Sequence, residues 1–264
     1  MTNIQFIPSA IDAGGCISNA WELVKRNYGL YLGMAIIAVI LAGCIPCVSL
    51  FLLGPVMGGV FYVVLRDMRG EPVDFGMMFK GFEKFVPLMV VGLLQAIPGI
   101  IAQVLRFTVN LGQLGLEGGR RNGSFQFLQS SGPDFAVAGG VLVIAAIVGV
   151  VFMIFSVAWA VAFFFAIPLA LEHDIGPIDA IKLSAQAALS NVGGLILLII
   201  LEGLIVLLGL VMICLGVFFI SLPIVYAANA LAYRQVFPWI EQNFNMAPPP
   251  PNVYGGGYGQ GQYS

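Results

Sequence analysis

The chain has 264 residues, 59% of them hydrophobic and 9% charged, against about 25% charged in an ordinary soluble protein. Its net charge of −2 and pI near 5.3 exclude an electrostatic case for a nucleic-acid partner. Four runs, residues 27–65, 85–105, 135–171 and 183–233, exceed half the chain and carry one charge between them, Glu202. About 20 apolar residues already cross the hydrocarbon layer of a bilayer, so these runs predict an all-α, polytopic transmembrane helical bundle.

Residues 1–27 read as a cytoplasmic segment with an amphipathic helix, Ile17, Ala20, Trp21 and Val24 sharing one face. Asp12 and Glu22 replace the basic start and apolar stretch of a cleavable signal, so the first span is expected to direct insertion itself. The membrane domain is read as residues 28–238. Its first run suffices for two short crossings that turn at 43–49, where Pro46 removes a backbone donor. In 72–85, Phe75, Met78, Phe79 and Phe82 follow helical spacing, and 85–105 supply a third span. The Gly-, Asn-, Gln- and Ser-rich segment 107–134 reads as an external loop, and its Asn122-Gly123-Ser124 sequon as a chance match.

Residues 135–171 would reach about 55 Å as one helix, against a hydrocarbon layer of about 30 Å. One long tilted helix or two short crossings would resolve the excess. A third amphipathic stretch, 177–191, places Ile178, Ile181, Ala185, Ala188 and Leu189 on its apolar face. Two further spans follow, turning near 209–216. Residues 239–264 form a Pro/Gly/Tyr-rich tail with too little apolar surface to pack, expected to be disordered and cytoplasmic.

Charge asymmetry sets the orientation. With six spans and a cytoplasmic N-terminus, Lys25, Arg26, Arg66, Arg69, Lys80, Lys84, Lys182 and Arg234 fall inside. Only Arg106, Arg120 and Arg121 fall outside, whereas seven spans would make the split nearly even. The expectation is a multi-pass protein of the inner cell membrane with both termini cytoplasmic. The amphipathic stretches before spans one, three and five are expected to lie in the interface.

The outer units correspond in sequence. Asn27-Tyr28-Gly29 matches Asn191-Val192-Gly193, and Pro55 precedes Arg66 by the same eleven residues that separate Pro223 from Arg234. This suggests a parallel internal repeat, with Arg66 and Arg234 closing the second and sixth spans at one membrane face. The helix from Ser18-Asn19-Ala20-Trp21 to Lys25-Arg26-Asn27, the Gly70-Glu71-Pro72-Val73-Asp74 link and the stretch from Pro177-Ile178-Asp179-Ala180 to Ser190-Asn191 carry a family likeness. Over about residues 10–238 the chain resembles the membrane domain attached to some bacterial glycerophosphoryl diester phosphodiesterases, and its stand-alone relatives. The resemblance implies a membrane domain without the hydrolase, and it transfers no catalytic residue.

The chemistry-bearing residues are few. His173 is the single histidine, so a histidine-based metal cluster is excluded; Glu172-His173-Asp174 with Asp179 reads as a water boundary rather than a cation site. Cys44 and Cys47 match C-x-x-C, yet inside an apolar run they read as small hydrophobes, like Cys16 and Cys214. Gly29 with Gly33, and Gly54 with Gly58, have the spacing of close helix packing. Glu202 and Asn229 form the candidate intramembrane polar site, expected to share a hydrogen bond between the fifth and sixth spans. Neither a cofactor nor an enzymatic activity is indicated. The expectation is a membrane-embedded structural or interaction module whose partners are membrane lipid and a membrane protein or second copy, with no nucleic acid. A small transporter or channel using Glu202 as a proton or cation site is the alternative.

Overall fold

The computed structural model describes residues 4–43, 46–121, 135–173, 175–212 and 216–239. Among them the secondary structure is helical throughout: α1 Ala13–Arg26, α2 Tyr28–Gly43, α3 Pro46–Met68, a 3-10 helix Phe75–Lys84, α4 Phe85–Gln95 and α5 Ile97–Arg121. After residues 122–134 come α6 Phe135–Phe163, α7 Ala166–Glu172, α8 Pro177–Ser190, α9 Val192–Val211, a π turn Val217–Ser221 and α10 Leu222–Val236. Among the described residues four helical stretches are long and apolar enough to cross a bilayer: Leu50–Met68, Ala146–Glu172, Val192–Val211 and Val217–Val236. The number rises to six if each of two bent pairs is one crossing, α1 with α2 at 103° and the 3-10/α4 segment with α5 at 48°.

The long third run is one nearly continuous helix rather than two crossings. Its break between α6 and α7 has a local cause. Pro168 has no N–H to give the carbonyl of Phe164, four residues earlier. Ser184 of α8 satisfies two other backbone groups at the break, accepting from the Phe165 N–H at 3.0 Å and donating to the Ala162 carbonyl at 2.7 Å. The helical geometry of α5 also runs on through residues 107–121, where the sequence predicts the start of the loop.

The helices α1, 75–84 and α8 come directly before α2, α4 and α9, and their buried faces differ from those expected. Residues 75–84 wind as a 3-10 helix, so a period of three replaces 3.6 and lines up Phe75, Met78 and Gly81. Met78 and Gly81 are buried, while Phe79 is 50% exposed. In α8 the buried residues are Ala180, Ser184, Ala187 and Ala188, whereas Ile178 and Leu189 face outward. In α1, Ala13, Cys16, Ala20 and Val24 are buried and Trp21 is exposed. Small residues won the inner positions of α1 and α8 because a helix needs a slim face to approach its neighbours closely.

Glycines bring the 3-10 helix and α4 onto α3. A Cβ on Gly59 would lie 1.7 Å from the Met78 carbonyl oxygen, and one on Gly54 would lie 1.9 Å from that of Leu88. Gly81 meets the Pro55 carbonyl in the same way, at 2.1 Å. The Gly54/Gly58 pair therefore packs within the protomer. Gly29 has open space around it, and Gly33 touches only the Phe75 ring, so the first glycine pair makes no close backbone crossing.

Candidate functional site

Glu202 lies on α9 and Asn229 on α10, and the expected hydrogen bond between them is not made. Glu202 Oε1 and Asn229 Oδ1 are both buried, and neither has a hydrogen-bond partner among the described residues. The reason lies in the packing: α1 lies against both α9 and α10, and α9 packs equally on α1 and on the π turn rather than along α10. There Ser221 Oγ donates to the Ile205 carbonyl at 2.9 Å, and Gly209 offers no Cβ to block the approach. On the α10 side Gln235 Oε1 accepts from the Asp12 N–H at 2.8 Å and from the buried Cys16 thiol at 3.4 Å. Cys44 and Cys214 lie outside the described residues, and with Cys44 goes the question of its pairing with Cys47.

The ionisable groups converge elsewhere, at the ends of the helices. Asp67, the penultimate residue of α3, is 2% exposed. Its carboxylate accepts from Arg26 Nη2 at 2.9 Å, Asn27 Nδ2 at 2.7 Å and Tyr31 Oη at 3.0 Å. Arg26 also donates to the Asp67 carbonyl at 2.7 Å, so the turn from α1 into α2 is fastened to the end of α3. Beside this knot an open cleft of about 670 Å³ is lined by Asn19, Glu22, Lys25, Arg26, Met68 and Leu231 among others. The charges of the cleft already answer one another, Lys25 pairing with Glu22 at 2.7 Å and Arg26 with Asp67.

A second knot centres on Glu172 at the end of α7. It accepts from Arg234 Nη2, from Tyr233 Oη at 2.8 Å and from Arg69 Nη2 at 3.2 Å. Arg69 also approaches Glu71 at 3.6 Å, and Glu71 pairs with Arg66 at 2.5 Å. The Arg66 guanidinium, through its hydrogen bond, holds the Glu71 carboxyl below its ordinary range. Trp239 covers the knot, with the guanidinium carbons of Arg234 and Arg69 at 4.5 and 5.1 Å from its ring centre. Arg66 and Arg234 thus belong to one chain of ion pairs at one end of the molecule. Their units nevertheless differ in detail. Asn27 grips Asp67, whereas Asn191 accepts from the Ala10 N–H at 2.8 Å and donates to the Ile7 carbonyl at 3.2 Å.

Glu172 therefore spends its oxygens on Arg234, Tyr233 and Arg69 rather than on a cation. Asp179 is exposed, and Asp174 lies outside the described residues. Burial keeps the neighbouring His173 imidazole below its ordinary value despite the Glu172 charge. Among the described residues no three metal-ligating side chains converge. Asp67, Tyr31, Tyr233 and Trp239 had no motif to announce them. A carboxylate beside an arginine at a span end reads as a water boundary until its distant partners are known. No protein-family model, no curated protein and no solved structure matches this chain.

Proposed function

We propose that the chain is a non-enzymatic, membrane-embedded structural or interaction module of the inner cell membrane. The observation that carries this reading is the use made of Asp67 and Glu172. Both carboxylates are surrounded by donors from distant helices, so they fasten α1, α2, α3, α7 and α10 to one another. Meanwhile α6 and α9 turn apolar side chains outward, with Ile147, Val151, Leu204 and Leu207 all more than half exposed. A helix apolar on every side is at home in lipid or against another membrane protein. Purification in a mild detergent, followed by native mass spectrometry, tests this reading. A stoichiometric protein or lipid should remain bound, and a bare monomer in every mild detergent would count against it.

One observation favours a second reading, transport of a proton or cation. Glu202 Oε1 and Asn229 Oδ1 are buried acceptors that lack donors among the described residues, and an acid at membrane depth is costly enough to suggest use. Glu202→Gln keeps hydrogen-bonding capacity and cannot exchange a proton. Loss of a cellular activity in that variant, with stability in detergent unchanged, would replace the module reading with transport.

A further inference from the structure

Three helices meet at the open cleft beside the Asp67 knot. Glu22, Lys25 and Arg26 come from α1, Met68 from the end of α3 and Leu231 from α10. The sequence sets its depth in the membrane. Residue 27 opens the first charge-free run, Arg66 closes it two residues before Met68, and Arg234 closes the last run three residues after Leu231. The cleft thus lies where apolar helix gives way to charge, at the level of lipid headgroups. Trp21 is 42% exposed, with Lys25 Nζ 5.6 Å from its ring centre. It marks the same level, because tryptophan collects at the membrane interface.

The lining carries charges of both signs and an apolar part. Lys25 and Arg26 are positive and Glu22 is negative, while Asp67 balances Arg26, so the cleft has no net charge. An anion alone gains little from such a surface, whereas a molecule with one charge of each sign fits it. The charged groups are also accessible: the side chains of Glu22, Lys25 and Arg26 are 68%, 47% and 53% exposed. An exposed pair such as Glu22–Lys25 contributes little to stability and opens readily. Arg26 gives Nη2 to Asp67, and among the described residues its Nε and Nη1 groups donate to nothing. The volume of about 670 Å³ falls within the range of about 300–1,000 Å³ usual for small-ligand sites.

We infer that this cleft binds the phosphoethanolamine headgroup of a membrane lipid. The phosphodiester, with its single negative charge, lies between Lys25 and Arg26. The primary ammonium replaces Lys25 on Glu22, and Leu23, Met68 and Leu231 cover the glycerol and the first methylenes of the acyl chains. An ammonium donates N–H groups directly to a carboxylate. A choline headgroup has none to give, and a glycerol headgroup brings no positive charge. The inference rests on the module reading and names its lipid.

Native mass spectrometry of the delipidated full chain tests it. Phosphatidylethanolamine, phosphatidylglycerol and phosphatidylcholine with identical acyl chains are offered at equal concentration. The phosphatidylethanolamine adduct should exceed each of the others roughly tenfold, the factor carried by one charge-assisted hydrogen bond. Glu22→Gln should erase that preference and put phosphatidylglycerol ahead, Glu22→Asp should keep it, and Lys25→Gln should weaken all three adducts. Lys182→Gln, exposed and outside the cleft, should change nothing. Equal adducts in the unaltered chain, or a preference that survives Glu22→Gln, would overturn the assignment. If Glu22→Gln melts early, Lys25→Gln and the competition on the unaltered chain decide. Displacement of the lipid by an equal concentration of free phosphoethanolamine would make a soluble compound the ligand, and it too would overturn the lipid site. If no lipid is preferred while another protein stays bound, the module reading survives without this site. If the preference holds but Glu202→Gln abolishes activity, the site survives without the module.

Discussion

Asp67 is a single carboxylate on which three helices depend, and its removal has a calculable sign. Asp67→Ala would strand the Tyr31 hydroxyl, which is fully buried, and release Arg26 and Asn27. Hydrogen bonds to a charged group contribute about 1.5–3 kcal/mol each, and Arg26 can regain water, so a net loss of about 2–3 kcal/mol is expected. The melting temperature in detergent should fall clearly, with Asp67→Asn falling less because it keeps an acceptor. An unchanged melting temperature would show that the knot holds nothing. The importance of Asp67 was illegible in sequence because its donors lie 36, 40 and 41 positions away. His173 gives a pH-dependent counterpart. Its pKa is lowered from 6.5 chiefly by burial, so the folded state favours the neutral ring. Its contribution is fully present above the ordinary value and is lost as pH falls below it, since the unfolded chain then takes up a proton that the folded chain resists. Glu71, also lowered, loses its contribution only as pH falls below its own ordinary 4.5. Melting temperatures should therefore decline as pH falls from neutrality through the ordinary histidine value of 6.5, and His173→Gln should flatten that decline. A decline of equal slope in the variant would assign it to other groups.

Helices and their faces were legible to different degrees, and the reason is physical. Apolar runs fixed where α3, α6 and α9 lie, because hydrophobic length is a local property. The break at Phe164 and Phe165 depends on Ser184, a residue of another helix, as well as on Pro168. The 3-10 winding of 75–84 depends on the close seat offered by Gly59 and Gly81. Periodicity alone predicts a 3.6-residue face there and selects Phe79, which is half exposed. The polar site was legible only as residues, since α1 changes which helices can meet. Glycines that look alike in the sequence should accordingly behave differently. Gly59→Ala would force a Cβ to within 1.7 Å of the Met78 carbonyl oxygen, and overpacking of this kind costs about 1–3 kcal/mol. Gly29→Ala meets open space on a helix, where alanine is favoured over glycine by about 1 kcal/mol. The first substitution should lower the melting temperature and the second should hold or raise it. Equal effects would mean that the 3-10 helix does not sit on α3 as described.

For the whole molecule, the ion-pair knots bear on orientation as well as stability. Arg26, Arg66, Arg69 and Arg234 are drawn together through Asp67, Glu71 and Glu172 at one end. Lys84 is held near them by donating to the Leu171 carbonyl at 2.8 Å. These five belong to the set that charge counting places in the cytoplasm, so the positive-inside rule acts on a cluster rather than on scattered residues. Arg120 and Arg121 lie at the far end of α5, beyond the segment that can cross the bilayer. A protein that inserts by these charges should have the clustered end inside and the region around residue 130 outside. In a chain with its native cysteines replaced, Ser130→Cys should react with a membrane-impermeant maleimide in intact cells. Ser264→Cys should react only after the membrane is opened. Reversing the bias tests the cause: replacing Arg66, Arg69 and Arg234 with glutamine should lower the protection of Ser264→Cys, since it removes three of the eight inside charges. If Ser264→Cys is labelled in intact cells of the unaltered chain, the six-span arrangement and the cytoplasmic C-terminus both fall.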